Sequence, residues 1–279
     1  MTAALHHLLD LDGAGIHVRD WGPAESEPVI AWHGLARSGA DFAPLATALA
    51  DRFRILAPDT IGRGASSWAG DPAEYRFARY ERLATALLDR FGLDRVRWVG
   101  TSMGGALGIR LAAGALAGRI THLVVNDIGP ELPKPAIERI LTYVGNPPNF
   151  ATLAELETYL RRVYAPYGFM TDAEWRAMTL TSWRRRDDGR IVPHYDPAIV
   201  RQFTQAPGDY DQWEAWRALA CPVLLLRGEA SDLLLPETAE AMLRANPRAR
   251  LRVEPGCGHA PALNLPAQTD PLRAFLSEA

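Results

Sequence analysis

Cysteine is nearly absent from this 279-residue chain, which has two, Cys221 and Cys257. Two cysteines make no disulfide framework, and Cys257 with His259 alone cannot close a zinc site. Lysine is scarcer still. Lys134 is the only one among 30 basic residues, and with the abundant alanine this reads as genomic base composition rather than function. A strong excess of charge is missing too: a net charge of −3 gives no electrostatic ground for a nucleic acid or an anionic membrane surface as partner. No segment approaches the about 18 uninterrupted apolar residues of a membrane span, and the first twenty residues contain no apolar core of a leader peptide. These absences predict a soluble, cytoplasmic protein. Internal repeats and low-complexity segments are lacking as well.

What the chain does have is 48% hydrophobic residues, enough for one large α/β domain or a core with an insertion. Its organising stretch is Val96 to Ala106. A β-branched apolar run leads into Gly100-Thr101-Ser102-Met103-Gly104, then into Ala106, Leu107, Ile109 and Leu111 at helical spacing. That is strand, sharp turn and helix with a serine at the apex. The turn requires glycine at 100 and 104, where side chains would collide, and it aims the Ser102 hydroxyl out at a helix N-terminus.

Other apolar runs fall into the same rhythm. Strands are expected at Leu5–Asp12, Gly15–Arg19, Pro28–Trp32, Phe53–Ala57, Ile120–Val125, Pro222–Arg227 and Ala249–Val253. Helices are expected at Phe42–Ala50, capped by Asp41 or Ser38, and at Tyr80–Phe91, Pro236–Ala245 and the C-terminus. The alternation predicts a mostly parallel, doubly covered sheet whose ligands sit at the strands' C-terminal ends. Three loops fall there: those after Trp32, at Ser102, and at Asn126–Pro130. His17 alternates with Ile16 and Val18 and is expected on a wet face. Between Pro130 and about Pro207 the rhythm breaks into helical patterns without strands, so residues 1–130 and 208–279 read as the core and 131–207 as an inserted helical cap. The Arg184–Arg190 run reads as a solvated helix end and turn. In this segment Tyr164, Trp183 and His194 are candidates to line a pocket.

A serine hydroxyl needs an adjacent base, itself oriented by a third group. Among seven histidines, His259 is the best base, lying in a small-residue loop after the last strand. His33 reads as structural, shaping its loop. Asp232, a turn after its strand, is the favoured orienting acid over Asp127, which follows the preceding strand, and over Glu229. The order Ser102, Asp232, His259 is that of a nucleophile-elbow hydrolase. Backbone N–H groups of Leu35 and Met103 are the expected oxyanion-hole donors.

The motifs Trp32-His33-Gly34-Leu35, Asp59-Thr60-Ile61-Gly62-Arg63-Gly64-Ala65-Ser66, Gly100–Gly105, the Asp232 loop and Gly258-His259-Ala260-Pro261 resemble the α/β-hydrolase family over nearly the whole chain. That resemblance implies an eight-stranded α/β-hydrolase fold and a serine hydrolase acting on a small carboxylic ester or lactone, without metal or organic cofactor. The same family includes carbon–carbon bond hydrolases acting on ring-cleavage diketones. An acidic substrate of that kind would want an arginine in the pocket, and Arg37 is the candidate. A non-catalytic ligand receptor on the same fold is the third reading.

Overall fold

The computed structural model describes residues 3–278; Met1, Thr2 and Ala279 lie outside the described residues, the first two within the twenty residues expected to hold no leader peptide. Among the described residues, ten strands and ten α-helices follow in chain order. They are β1 (Leu5–Leu11), β2 (Ala14–Trp21), β3 (Glu27–Trp32), α1 (Ala43–Leu49), β4 (Phe53–Pro58), α2 (Phe77–Arg90), β5 (Val96–Thr101), α3 (Met103–Ala113) and β6 (Ile120–Asn126). Next come α4 (Lys134–Val144), α5 (Leu153–Val163), α6 (Asp172–Leu180), β7 (Trp183–Arg185), β8 (Ile191–Pro193), α7 (Gln202–Gln205) and α8 (Trp213–Ala218). The chain closes with β9 (Val223–Gly228), α9 (Pro236–Ala245), β10 (Ala249–Glu254) and α10 (Pro266–Leu276). Among the described residues no helix is long and apolar enough to cross a membrane.

Eight strands form one sheet in the order β1-β2-β4-β3-β5-β6-β9-β10. Only β2 opposes the others in direction, pairing antiparallel with both β1 and β4. The central strands read as unbroken apolar runs because both their faces are covered: Val29, Ile30 and Ala31 of β3 have no exposed surface, and all six residues of β9 are buried. One face packs under α2, α3, α8 and α9 through residues such as Leu83, Leu107, Trp216 and Met242; the other packs under α1 and α10 through Leu45, Leu49, Leu272 and Phe275. At the edge, β1 turns Leu5 and Leu8 to solvent. The chain reverses its direction of winding between β3 and β5, which are neighbours in the sheet. A crevice therefore opens beyond their C-terminal ends.

Several expectations need correction. The stretch between β6 and β9 contains a small antiparallel pair, β7 with β8, where no strand was expected. The Arg184–Arg190 run is the hairpin joining them, turned at Gly189 with φ +81°, not a helix end. A separate apolar cluster of Phe150, Leu156, Leu160, Trp175, Met178 and Ile191 holds this region together. Neither Ser38 nor Asp41 caps a helix; the Asp41 carboxylate instead accepts from Arg37 Nε at 2.7 Å. His17 is buried rather than wet, its Nδ1 2.8 Å from the Asp59 carboxylate. The alternation failed there because the loop after β4 covers that face of β2, as the hydrogen bond from His17 N to Ser66 Oγ records.

Candidate active site

Ser102 stands between β5 and α3 with φ +51° and ψ −116°, a conformation non-glycine residues rarely adopt. The neighbouring glycines make it possible. A Cβ on Gly100 would drive into the Gly104 carbonyl, and one on Gly104 into the Trp32 carbonyl of β3. The second collision is with the adjacent strand, so Gly104 sets how closely α3 approaches the sheet. The chain holds this strained apex by hydrogen-bonding Ser102 N to the Asn126 carbonyl at 2.8 Å.

His259 reaches back over the sheet edge from the loop after β10. Its Nε2 lies 2.9 Å from Ser102 Oγ and its Nδ1 2.7 Å from an oxygen of Asp127. A carboxylate only accepts, so Nδ1 carries the hydrogen and Nε2 is free to accept from the serine hydroxyl. Asn126 steadies this loop from β6, donating to the Pro261 carbonyl at 2.9 Å.

The carboxylate beside His259 is Asp127 and not the expected Asp232. Asp232 does not face His259. Its side chain is 55% exposed and pairs with Arg139 of α4 at 2.9 Å. Asp127, wholly buried and with φ +59°, holds the inner position. Its carboxylate accepts from Gly228 N at 2.7 Å and from the Ser231 hydroxyl at 2.6 Å besides the imidazole. The physical reason lies in the turn after β9. Ser231 points inward, its oxygen also accepting from Leu233 N and Leu234 N at 3.2 and 3.1 Å. That leaves the next residue, Asp232, directed to the rim. Ser231 therefore contributes to the site a positioning hydroxyl that the sequence did not single out.

Arg63, likewise missed, ties Leu35 and Met103 together. It is wholly buried, donating from Nε to the Leu35 carbonyl at 2.8 Å and from Nη2 to Met103 Sδ at 3.5 Å. Further bonds run from Nη1 to the Ile61 carbonyl at 2.8 Å and to the Tyr80 hydroxyl at 2.9 Å. The GRG sequence, with arginine between two positive-φ glycines, was the available signal. His33 shapes the same loop. Its Nδ1 donates to the Gly34 carbonyl at 2.6 Å while Nε2 accepts from Thr60 N at 2.9 Å. Burial pushes its pKa down to about 4, keeping the ring neutral.

A pocket of about 230 Å³ opens over Ser102 and His259. Leu35, Arg37, Tyr164 and Asp232 all line it, as do Arg139, Ile140, Tyr143 and Tyr167 from the segment after β6. Trp183 does not; it lies in β7, packed beside the Phe150–Trp175 cluster. His194 lines a smaller adjoining cavity instead. Arg37 is buried and already matched, with Asp41 on Nε and Nη2 and Ser182 on Nη1, and the Tyr164 ring lies 4.7 Å from its guanidinium carbon. It straps the loop after β3 to the segment before β7.

Comparison with known families fits this geometry. The family model described as "Alpha/beta hydrolase family" matches residues 29–276. The chain belongs to the α/β-hydrolase family. This α/β hydrolase is 37% identical over 268 residues to the 3-hydroxybutyrate-oligomer hydrolase of Cupriavidus necator, covering 91% of each chain. It is 26% identical to the pimeloyl-[acyl-carrier protein] methyl ester esterase of Nitrosomonas europaea, covering 91% of this chain and 96% of that one. Among solved structures, an α/β hydrolase from Novosphingobium aromaticivorans superimposes with a TM-score of 0.88 at 35% identity, over 99% of both chains.

Proposed function

We propose that this α/β hydrolase is a serine hydrolase that cleaves a small carboxylic ester through an acyl-enzyme. One observation carries the reading: the His259 ring bridges the Ser102 hydroxyl at 2.9 Å and the buried Asp127 carboxylate at 2.7 Å. Ser102 Oγ attacks the ester carbonyl as its proton passes to His259 Nε2. Asp127 holds the reactive tautomer and stabilises the imidazolium. Charge builds on the carbonyl oxygen, where the N–H groups of Leu35 and Met103 are the proposed donors; each such donor contributes on the order of 10²–10³ in turnover. Collapse of this intermediate expels the alcohol, which takes the proton from Nε2. Water then attacks the acyl carbon with His259 as base, releasing the acid and restoring Ser102.

The modest pocket supports a short substrate. Similarity to a protein that hydrolyses 3-hydroxybutyrate oligomers supports an ester of a short hydroxy acid. Residues 131–207 serve as a cap, since Arg139, Ile140, Tyr143, Val144 and Tyr164 supply one wall of the pocket. Cleavage of an acidic diketone gains no support from Arg37, because its charge is already matched by Asp41.

A fluorophosphonate probe tests the assignment. The wild type is expected to label and to hydrolyse short esters, while Ser102→Ala does neither and folds normally. Equal labelling of the alanine variant would end the nucleophile assignment.

A further inference from the structure

Beside the Ser102 pocket lies a cavity of about 10 Å³ that shares Ala36, Arg37, Tyr143 and Tyr164 with it. Such a volume holds one water-sized group. Its wall includes His194, whose polar groups are not all used. Gly64 N–H donates to Nδ1 at 2.8 Å, so the hydrogen of the neutral ring sits on Nε2. That Nε2–H is buried and has no partner, an arrangement proteins rarely leave standing. Burial, with Arg37 adding to it, pushes the imidazole down to about 3, so the ring stays neutral near pH 7.

Arg37 borders the same cavity and is joined to His194 through Ser182. Its Nη1 donates to Ser182 Oγ at 3.0 Å, and His194 N donates to the Ser182 carbonyl at 3.1 Å. Nε and one hydrogen of Nη2 go to Asp41, which leaves guanidinium hydrogens to spare. The cavity therefore offers donors without net charge, because Arg37 is matched by Asp41 and His194 is neutral. A carboxylate there would carry an unmatched charge out of water. An apolar group would leave the Nε2–H unsatisfied. A hydroxyl or carbonyl oxygen meets both conditions.

We infer that this cavity is a substrate subsite in which His194, with Arg37, receives one uncharged acceptor oxygen carried on the ester's chain. The inference rests on the ester-hydrolase reading and narrows it to oxygenated esters.

The test compares kcat/KM for matched esters that differ by oxygen against methyl. Ethyl β-hydroxybutyrate and ethyl acetoacetate against ethyl isovalerate probe the acyl side, and hydroxybutyl acetate against isoamyl acetate probes the alcohol side. On at least one side the wild type is expected to prefer the oxygenated ester by about tenfold or more. The hydroxyl and keto arms show which oxygen is held. His194→Phe should bring that ratio close to one. His194→Gln, which can accept from Gly64 and still donate, should retain part of it. Ratios near one in the wild type, or a preference unchanged in His194→Phe, would overturn the subsite and leave a structural water as its only occupant. Hydrolysis of every ester without such a preference would sink this inference alone, whereas no hydrolysis and no probe labelling would sink the ester-hydrolase reading. A binding measurement independent of turnover and of His194 substitution completes the test. In Ser102→Ala, the His194 Nε2–H resonance should shift on adding ethyl β-hydroxybutyrate and not on adding ethyl isovalerate; a resonance unmoved by both overturns the subsite.

Discussion

A carboxylate that orients a catalytic imidazole must be buried enough to be rigid and must hydrogen-bond the ring directly. At the scale of single residues, Asp127 meets both demands through Gly228 N, the Ser231 hydroxyl and the His259 ring. Asp232, half exposed and paired with Arg139, meets neither. Asp127→Asn is accordingly expected to keep the fold and lower kcat by about 10⁴, because an amide favours the wrong imidazole tautomer. Asp232→Asn should cost less than about tenfold, the scale of one exposed ion pair. Steady-state kinetics on a short ester decide the matter, and a collapse confined to Asp232→Asn would reverse the assignment. That Asp127 and not Asp232 meets the ring has a definite source. Both aspartates follow apolar strands that are neighbours in the sheet, β6 and β9, and linear spacing does not reveal which loop turns its carboxylate inward. That depended on Ser231 taking the inward place in its turn, a choice made by the bonds from Leu233 N and Leu234 N. The meeting of Ser102 with His259 was legible because a strained strand–turn–helix leaves a marked glycine pattern and a loop histidine after the last strand has one edge to lean over.

At the scale of elements, the register of α3 against the sheet positions Ser102, and Gly104 governs it. An added methyl there would meet the Trp32 carbonyl, which is backbone and cannot swing aside. Gly104→Ala should push α3 from β3, lowering stability by about 1–3 kcal/mol and slowing probe labelling. Gly70→Ala provides the contrast, since nothing lies within 4 Å of a Cβ there; it should change stability by no more than about 0.5 kcal/mol. Urea midpoints of the two variants check this, and equal midpoints would refute the packing argument. The sequence conveyed core elements well, since α9 spans the expected Pro236–Ala245 and β10 runs only one residue beyond Val253. Periodicity is strong where both faces of a strand or one stripe of a helix are buried. It was weak in β7 and β8, three residues each. Strands that short carry no alternation to read, and arginines on one of them read as a solvated turn.

At the scale of the whole molecule, two neutral buried imidazoles pin separate parts of the chain to the loop after β4. His33 joins the end of β3 to Thr60, and His194 joins the segment after β8 to Gly64. In each, a ring nitrogen accepts a backbone N–H, so protonation breaks the bond it is there to make. Burial holds the two rings at about 4 and about 3, below the roughly 6.5 of an exposed histidine. The unfolded chain thus binds protons that the folded chain refuses. Stability should be full above about pH 6.5, fall as pH drops through that value, and level off only below the folded values. Asp59 extends the decline. Burial opposes its charge, but His17 and Arg19 override burial and hold its carboxyl below the usual range, so its contribution disappears below about pH 4. Between about pH 7 and pH 4.5 the two histidines together should remove on the order of a few kcal/mol. Urea unfolding followed by tryptophan fluorescence at several pH values measures the slope. His33→Asn should lower stability at neutral pH yet flatten its pH dependence, since one of the two titrating rings is gone. A midpoint that stays constant across this range would mean that both rings open to water, or find new acceptors, as readily as they protonate.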